Sequence, residues 1–168
     1  MSSVVSNDRA FTLIEMVAVT ALISIMLVVA IPRLSGGILS GGDDETLRWI
    51  IANVRQAREN AVDQQKLYLL NVSLDAQRLW VAPVDLAETE AAAAREKGFR
   101  LPRGVDIDHV ALSQSNRLSS GTIPIGFYPE GYSDRAVIRI RTNDGDRLAV
   151  YIEPFLPGVN VVRGSEGW

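Results

Sequence analysis

The stretch Phe11-Thr12-Leu13-Ile14-Glu15 opens an apolar run that continues to Ile31 and determines how the rest of the chain is interpreted. The run contains 21 residues and one ionisable side chain, that of Glu15. A helix rises about 1.5 Å per residue, so a helix of this length just crosses the hydrocarbon core of a bilayer. The pattern predicts a transmembrane helix over residues 11–32.

Glu15 is the unusual residue of this helix, because a charge inside a membrane costs several kcal/mol and needs a partner. If the chain is cut after Ala10, the new α-amino group lies on Phe11, four residues before Glu15 and on the same helical face. The pair can form within one helix or between two copies, and in the second case both charges are neutralised only in an assembly. Alternatively, Glu15 reaches the headgroups from the end of an ordinary signal anchor.

Composition limits the chain to one modest domain and an anchor. It has 168 residues, of which 47% are hydrophobic and 22% charged, with a net charge of −3 and no cysteine. Disulfides and thiolate metal sites are therefore excluded, and packing alone must hold the domain together.

The segments that flank the apolar run complete the predicted domain organisation. Residues 1–10 form a leader that is too polar for a secretory signal, and the run lacks a small-residue cleavage site at its end, so it stays in the mature protein. Residues 33–43 include four glycines, which disfavour a continuous helix and predict a joint. The joint is either flexible, allowing the head to tilt, or a plain linker. Residues 44–168 form the globular domain.

Periodicity in the globular domain predicts an α+β fold. Apolar residues recur at spacings of three and four over residues 44–65, capped by Asp43 or Asp44, which predicts an amphipathic helix. Its stripe comprises Leu47, Ile50, Ile51, Val54, Ala61 and Val62. Trp49 lies off the stripe, where it contacts either a loop or another subunit. The chain after Gln65 predicts two strands joined near residues 75–77, a helix at 85–97 stopped by Gly98, and five strands at 105–112, 122–128, 135–142, 147–153 and 158–163. We expect the amphipathic helix to pack on an antiparallel β-sheet.

Catalytic and metal-binding patterns are weak. His109 is the only histidine, and no Gly-x-Ser-x-Gly motif supplies a nucleophile. Asp144 and Asp146 flank Gly145, but the ligand spacing of a calcium loop is missing and a hairpin turn explains them. We therefore predict no catalytic residue, no metal and no cofactor, and a protein that is not an enzyme.

The strand near residue 138 carries a basic stripe formed by Arg135, Arg139 and Arg141. Such a stripe suits an acidic neighbouring subunit or nucleic acid. Because the chain is net acidic and no aromatic residues interleave with the arginines, nucleic acid is disfavoured, and a solvated face with cross-strand ion pairs is the simpler interpretation.

The N-terminal segment resembles the class III signal of type IV pilins and type II secretion pseudopilins, which consists of a polar leader, a small residue, Phe-Thr-Leu-Ile-Glu, an apolar span and a proline. The resemblance implies that prepilin peptidase cleaves between Ala10 and Phe11 and that the Phe11 amine is methylated. It also assigns fibre assembly to Glu15 and a helix end or kink to Pro32. The residue before the cut is usually glycine in this family and is alanine here.

Three further stretches, residues 55–61, 101–105 and 125–131, resemble the H-type minor pseudopilins of type II secretion, the GspH/FimT group. That resemblance implies a subunit near the tip of a periplasmic pseudopilus that helps export folded proteins across the outer membrane. It implies an inner-membrane, single-pass protein with a periplasmic C-terminal domain. The implied partners are the other minor pseudopilins, the major pseudopilin, prepilin peptidase and inner-membrane lipid. A minor pilin of a type IV pilus, working in assembly, adhesion or DNA uptake, is the alternative.

Overall fold

The computed structural model describes residues 13–36, 42–112, 116–142 and 145–164. The chain divides into two compact units, Met1–Ser40 and Gly41–Trp168. The first contains helix α1 (Leu13–Gly36). Helix α1 continues past Pro32 into the first four residues of the predicted joint, so Pro32 lies inside it and not at its end. Residues 37–41 of the joint lie outside the described residues, and the kink and the joint stay predictions. In the described part of the chain, no helix is long enough and apolar enough to cross a membrane.

Helix α2 (Gly42–Gln64) opens the second unit and is the predicted amphipathic helix. It begins before Asp43 and Asp44, so both acids lie in its first turn and neither is its cap. The negative charges of these two side chains still interact favourably with the positive end of the helix dipole. The buried stripe differs from the predicted one at two positions, because Ile51 and Val62 are 45% and 42% exposed. The apolar side chains of α2 that are buried are those of Leu47, Ile50, Val54, Ala57 and Ala61.

The first sheet has the strand order β3-β2-β1-β6. Its strands are β1 (Tyr68–Ser73), β2 (Arg78–Pro83), β3 (Phe99–Arg100) and β6 (Thr122–Phe127). The predicted hairpin around residues 75–77 is confirmed, with Val72 opposite Leu79. Tyr68, Leu70 and Val72 are buried in regular alternation along β1.

The short helix α3 (Glu88–Glu96) follows β2 and is confirmed within its predicted range of 85–97. Gly98, the predicted stop, follows two residues after the helix. It is needed for close packing, because an added Cβ would lie 2.8 Å from the Leu79 carbonyl oxygen. Next to it, Phe99 stacks on Trp49 of α2 with ring centroids 5.3 Å apart. Trp49 therefore packs inside the subunit.

The second sheet has the strand order β5-β4-β7-β8-β9, and every pairing in both sheets is antiparallel. Its strands are β4 (Asp106–Ala111), β5 (Arg117–Leu118), β7 (Ala136–Arg141), β8 (Arg147–Ile152) and β9 (Val159–Arg163). The α+β class is confirmed, but the strands form two sheets where one was expected. Side chains from α2 and both sheets, such as Val54, Leu70 and Ile138, form one buried cluster. Burying each of its larger side chains contributes about 1.5–3 kcal/mol.

The outer edge of β6 is closed by the chain that follows it. Gly126 donates its N–H to Asp134 Oδ2 (2.7 Å) and accepts from the Asp134 N–H (2.8 Å). The Tyr128 hydroxyl donates to the other oxygen of that carboxylate (3.2 Å). Burial and the Asp134 charge raise the pKa of Tyr128, so the phenol stays protonated and keeps donating. A Cβ at Gly126 would lie 2.9 Å from Asp134 Oδ2 and 3.1 Å from the Tyr128 ring, so a larger residue there would displace these two side chains.

Arg58 joins α2 to two turns at the end of the second sheet. Its Nη1 donates to the Pro154 carbonyl (3.0 Å), and its Nη2 donates to the Glu153 carbonyl (2.5 Å) and to Ser133 Oγ (2.8 Å). The guanidinium also lies 5.7 Å from the centre of the Phe127 ring. Burial lowers the pKa of Arg58, but an arginine remains charged in proteins. The Arg58 guanidinium is thus bound by two main-chain carbonyls, the Ser133 hydroxyl and the face of the Phe127 ring.

Replacing Arg58 by methionine tests this junction, because the change keeps most of the aliphatic stem and removes the charge-assisted hydrogen bonds. We expect Arg58→Met to lower the free energy of unfolding by about 2–4 kcal/mol, measured by urea denaturation. The matched control is Arg55→Met, one turn earlier on α2, where Arg55 makes only an exposed pair with Glu59. That change should cost about 0.5 kcal/mol or less. If the two substitutions lowered the free energy of unfolding equally, the proposed stabilisation by the Arg58 hydrogen bonds would be contradicted.

Candidate processing and assembly site

Helix α1 carries many exposed apolar side chains. Its side chains from Leu13 to Met26 are all exposed, with Leu13 at 84%, Ile14 at 76% and Met26 at 65%. Isolated exposed apolar residues are normal, but a continuous apolar helix marks a surface that lipid or another protein covers. The apolar stretch that begins near Glu15 therefore has the character of a binding surface.

The polar side chains of α1 are largely satisfied by its own backbone. Thr20 Oγ1 donates to the Met16 carbonyl (2.7 Å), and Ser24 Oγ donates to the Thr20 carbonyl (2.8 Å). Hydroxyls bonded in this way add little polarity to the helix surface. Glu15 is the one charged residue between Leu13 and Met26, and it lies in the first turn of α1 with its side chain exposed.

The position of Glu15 favours a negative charge, because the first turn of a helix carries the positive end of the dipole. Ala10 and Phe11, the predicted processing residues, lie outside the described residues. The predicted pair between Glu15 and the Phe11 amine therefore stays a prediction.

The basic stripe is interleaved with carboxylates of the same subunit. Arg135 Nη2 lies 3.1 Å from Glu153 Oε1, and Arg141 lies 3.7 Å and 3.8 Å from the carboxylates of Asp106 and Asp108. Arg139 pairs in register with His109 on the neighbouring strand β4. Such cross-strand pairs each contribute well under 1 kcal/mol when exposed, but they neutralise the face. The geometry supports the ion-paired interpretation of the stripe, and its use as a partner surface stays a prediction.

The residues considered for catalysis or calcium binding lie in strand β4 and in the turn between β7 and β8. His109 lies on β4, half-buried, with Nδ1 3.3 Å from Asp108 Oδ2. Gly145 closes a hairpin turn by donating to the Thr142 carbonyl (3.0 Å), and its φ of +81° favours glycine. Asp144 lies outside the described residues. Among the residues that are described, no group of three His, Cys, Asp or Glu side chains is arranged to hold a metal ion.

Sequence reasoning missed an aromatic cluster that joins the connection between β6 and β7 to the turn between β8 and β9. Tyr132 stacks on Tyr128 with centroids 4.5 Å apart and leans toward Phe155 at 6.5 Å. Phe155 is 83% exposed and the adjacent Leu156 is 54% exposed. The signal in the sequence was the apolar pair Phe155 and Leu156 directly after Pro154. Sequence alone does not say whether such a pair is exposed or buried.

Comparison with known proteins gives one similar solved structure and one matching family model. The structure is the minor pseudopilin EpsH from the Type 2 Secretion System of Vibrio cholerae, with 11% identity, a TM-score of 0.48, and coverage of 70% of this chain and 93% of that one. No curated protein matches the chain significantly. Residues 5–31 match the model of the prokaryotic N-terminal methylation motif. The predicted signal is thereby confirmed, and the chain carries the prokaryotic N-terminal methylation motif.

Proposed function

We propose that this chain is a minor pseudopilin of the H type, a structural subunit near the tip of the type II secretion pseudopilus that helps export folded proteins across the outer membrane. The observation that carries the proposal is the methylation motif over residues 5–31, which contains Glu15 inside an otherwise apolar segment. Resemblance of residues 55–61, 101–105 and 125–131 to the H-type subunits supports the narrower assignment.

Processing would create a positively charged amine close to Glu15 in the sequence. In the proposed mechanism, prepilin peptidase cuts between Ala10 and Phe11, and the Phe11 amine is then methylated. A methylated amine keeps its positive charge, so it remains able to pair with a carboxylate. When Glu15 of one subunit pairs with the Phe11 amine of its neighbour, the two opposite charges neutralise each other inside an apolar environment. This neutralisation favours assembly by several kcal/mol.

Membrane attachment follows from the same segment. The exposed apolar side chains of α1, from Leu13 to Met26, suit lipid before assembly and neighbouring helices after it. We place the chain in the inner membrane with a single pass and its C-terminal domain in the periplasm. The proposed partners are prepilin peptidase, the other minor pseudopilins and the major pseudopilin.

The alternative is a minor pilin of a type IV pilus, because the same N-terminal motif serves both assemblies. DNA uptake would require a free cationic surface, and the pairing of Arg135 and Arg141 with carboxylates gives it no support.

The first prediction concerns processing. When the chain is produced with prepilin peptidase, we expect a product that begins at methylated Phe11, identified by intact mass and N-terminal sequencing. The matched variant is Ala10→Gly, which restores the usual residue before the cut and should be cleaved at least as fast. An uncut chain in both cases would contradict the proposal and leave a plain signal anchor.

The second prediction concerns Glu15. Glu15→Gln keeps the shape of the side chain and removes its charge, so the head should unfold at an unchanged temperature and the protein should still fractionate with membranes. Incorporation into sheared fibres should fall by about tenfold or more, because the amine loses its partner. The control is Ser24→Ala, which removes a hydroxyl bonded only within α1. Normal incorporation of the Glu15→Gln variant into fibres would contradict the assembly role of Glu15.

A further inference from the structure

Basic side chains meet at the last turn of α3 and the nearby edge of the first sheet. Arg78 on β2 lies directly opposite Arg100 on β3 in the antiparallel register, so both side chains project from the same face of the sheet. Trp80, two residues after Arg78, shares that face. The Arg95 guanidinium of α3 lies 6.0 Å from the centre of the Trp80 ring. We call Arg78, Arg95 and Arg100 the basic cluster.

The basic cluster has no carboxylate partner within the described part of the chain, where the ion pairs are made by other residues. Arg78 donates through Nη1 to the carbonyls of Arg95 (2.9 Å) and Glu96 (3.1 Å). These bonds satisfy two donors but do not neutralise the positive charge. The exposed Lys97 and Arg103 flank β3 and add to the charge, again without an ion pair among the described residues.

This arrangement is unfavourable in the single subunit, because like charges directly opposite each other across two strands repel. One charged side chain often protects an edge strand, which would account for Arg100 on β3. Cations also stabilise the end of a helix, which would account for Arg78 and Arg95 near the end of α3. Neither effect requires arginines from β2, β3 and α3 to meet on one face.

Arg78 and Arg95 line a groove of about 550 Å³ between α3 and the outer face of the first sheet. Away from these arginines, the groove is lined by apolar side chains such as those of Ala82 and Val84. Asn71 also lines it, and the one hydrogen bond of its side chain in the described chain is a long one, 3.4 Å, to the Leu69 carbonyl. The groove therefore offers positive charge at one end and apolar and amide groups along its length.

We propose that the basic cluster and this groove bind an acidic segment of another protein chain. Carboxylates of the segment pair with Arg95 and Arg100, and its apolar side chains lie along the groove toward Val84. Guanidinium groups suit this ligand, because they bind a carboxylate through two parallel hydrogen bonds. Glu88 also lines the groove, about 10 Å along α3 from Arg95, so the acidic residues must lie at one end of the segment. This inference does not depend on the proposed processing.

Two other anionic partners fit this surface less well. A single-stranded nucleic acid gains affinity by stacking its bases on exposed aromatic rings, but Trp80 is 9% exposed. An anionic membrane surface would also meet the exposed carboxylates of Glu88, Glu90 and Glu96 on and beside the basic end of α3, which would repel it. A single extended segment can contact the arginines without covering the whole helix.

The test uses the full chain in micelles of a non-ionic detergent and labelled, capped six-residue peptides. Each peptide has two glutamates at one end, followed or preceded by Val, Leu and Thr, and its matched peptide has glutamine at both positions. Fluorescence anisotropy should show that an acidic peptide binds about tenfold or more tightly than its matched peptide. Raising the salt concentration from about 0.05 M to about 0.5 M should weaken this binding, because salt screens exposed charges.

Two arginines on short edge strands provide a matched pair of variants. Arg100→Gln removes one cation of the basic cluster. Arg117→Gln removes an exposed arginine of β5, the two-residue edge strand of the second sheet, and changes the net charge equally. Arg100→Gln should weaken binding of the acidic peptide about tenfold, a change of about 1.4 kcal/mol, and Arg117→Gln should bind like the unmodified chain. Thermal unfolding verifies that both variants are folded.

Four results would overturn the proposal. In the first, the glutamate and glutamine peptides bind equally. In the second, Arg100→Gln binds the acidic peptide as tightly as Arg117→Gln. In the third, a single-stranded oligonucleotide, or phosphatidylglycerol added to the micelles, binds more tightly than any acidic peptide, and Arg100→Gln weakens that binding. In the fourth, the chain alone sediments as a dimer that Arg100→Gln dissociates, which would make the occupant a second copy.

Discussion

The exposed apolar surface of α1 is the constraint on which the rest of this molecule depends. The side chains from Leu13 to Met26 are exposed and are not part of the buried cluster of the head. With no cysteine in the chain, the head must then be stable through its own packing. The buried cluster shared by α2 and two sheets meets that need, and Arg58 strengthens it by tying α2 to the turns after β6 and β8.

Much of this architecture was predictable because it rests on local pattern. The apolar run, the spacing of Leu47, Ile50 and Val54, and the turn between Val72 and Leu79 are each determined by residues close in sequence. The five later strands were found within a residue or so of their predicted positions for the same reason. The N-terminal motif was recognised from contiguous residues, so no knowledge of tertiary structure was needed.

What sequence could not provide depends on contacts between distant residues. Alternation assigns Ile138 to a buried face but does not say which sheet β7 joins, so the division into two sheets was missed. Arg58 lies within the predicted amphipathic helix, yet its partners Ser133 and Pro154 lie 75 and 96 residues away. The basic stripe was visible on β7, whereas the carboxylates of Asp106 and Asp108 that neutralise Arg141 come from β4.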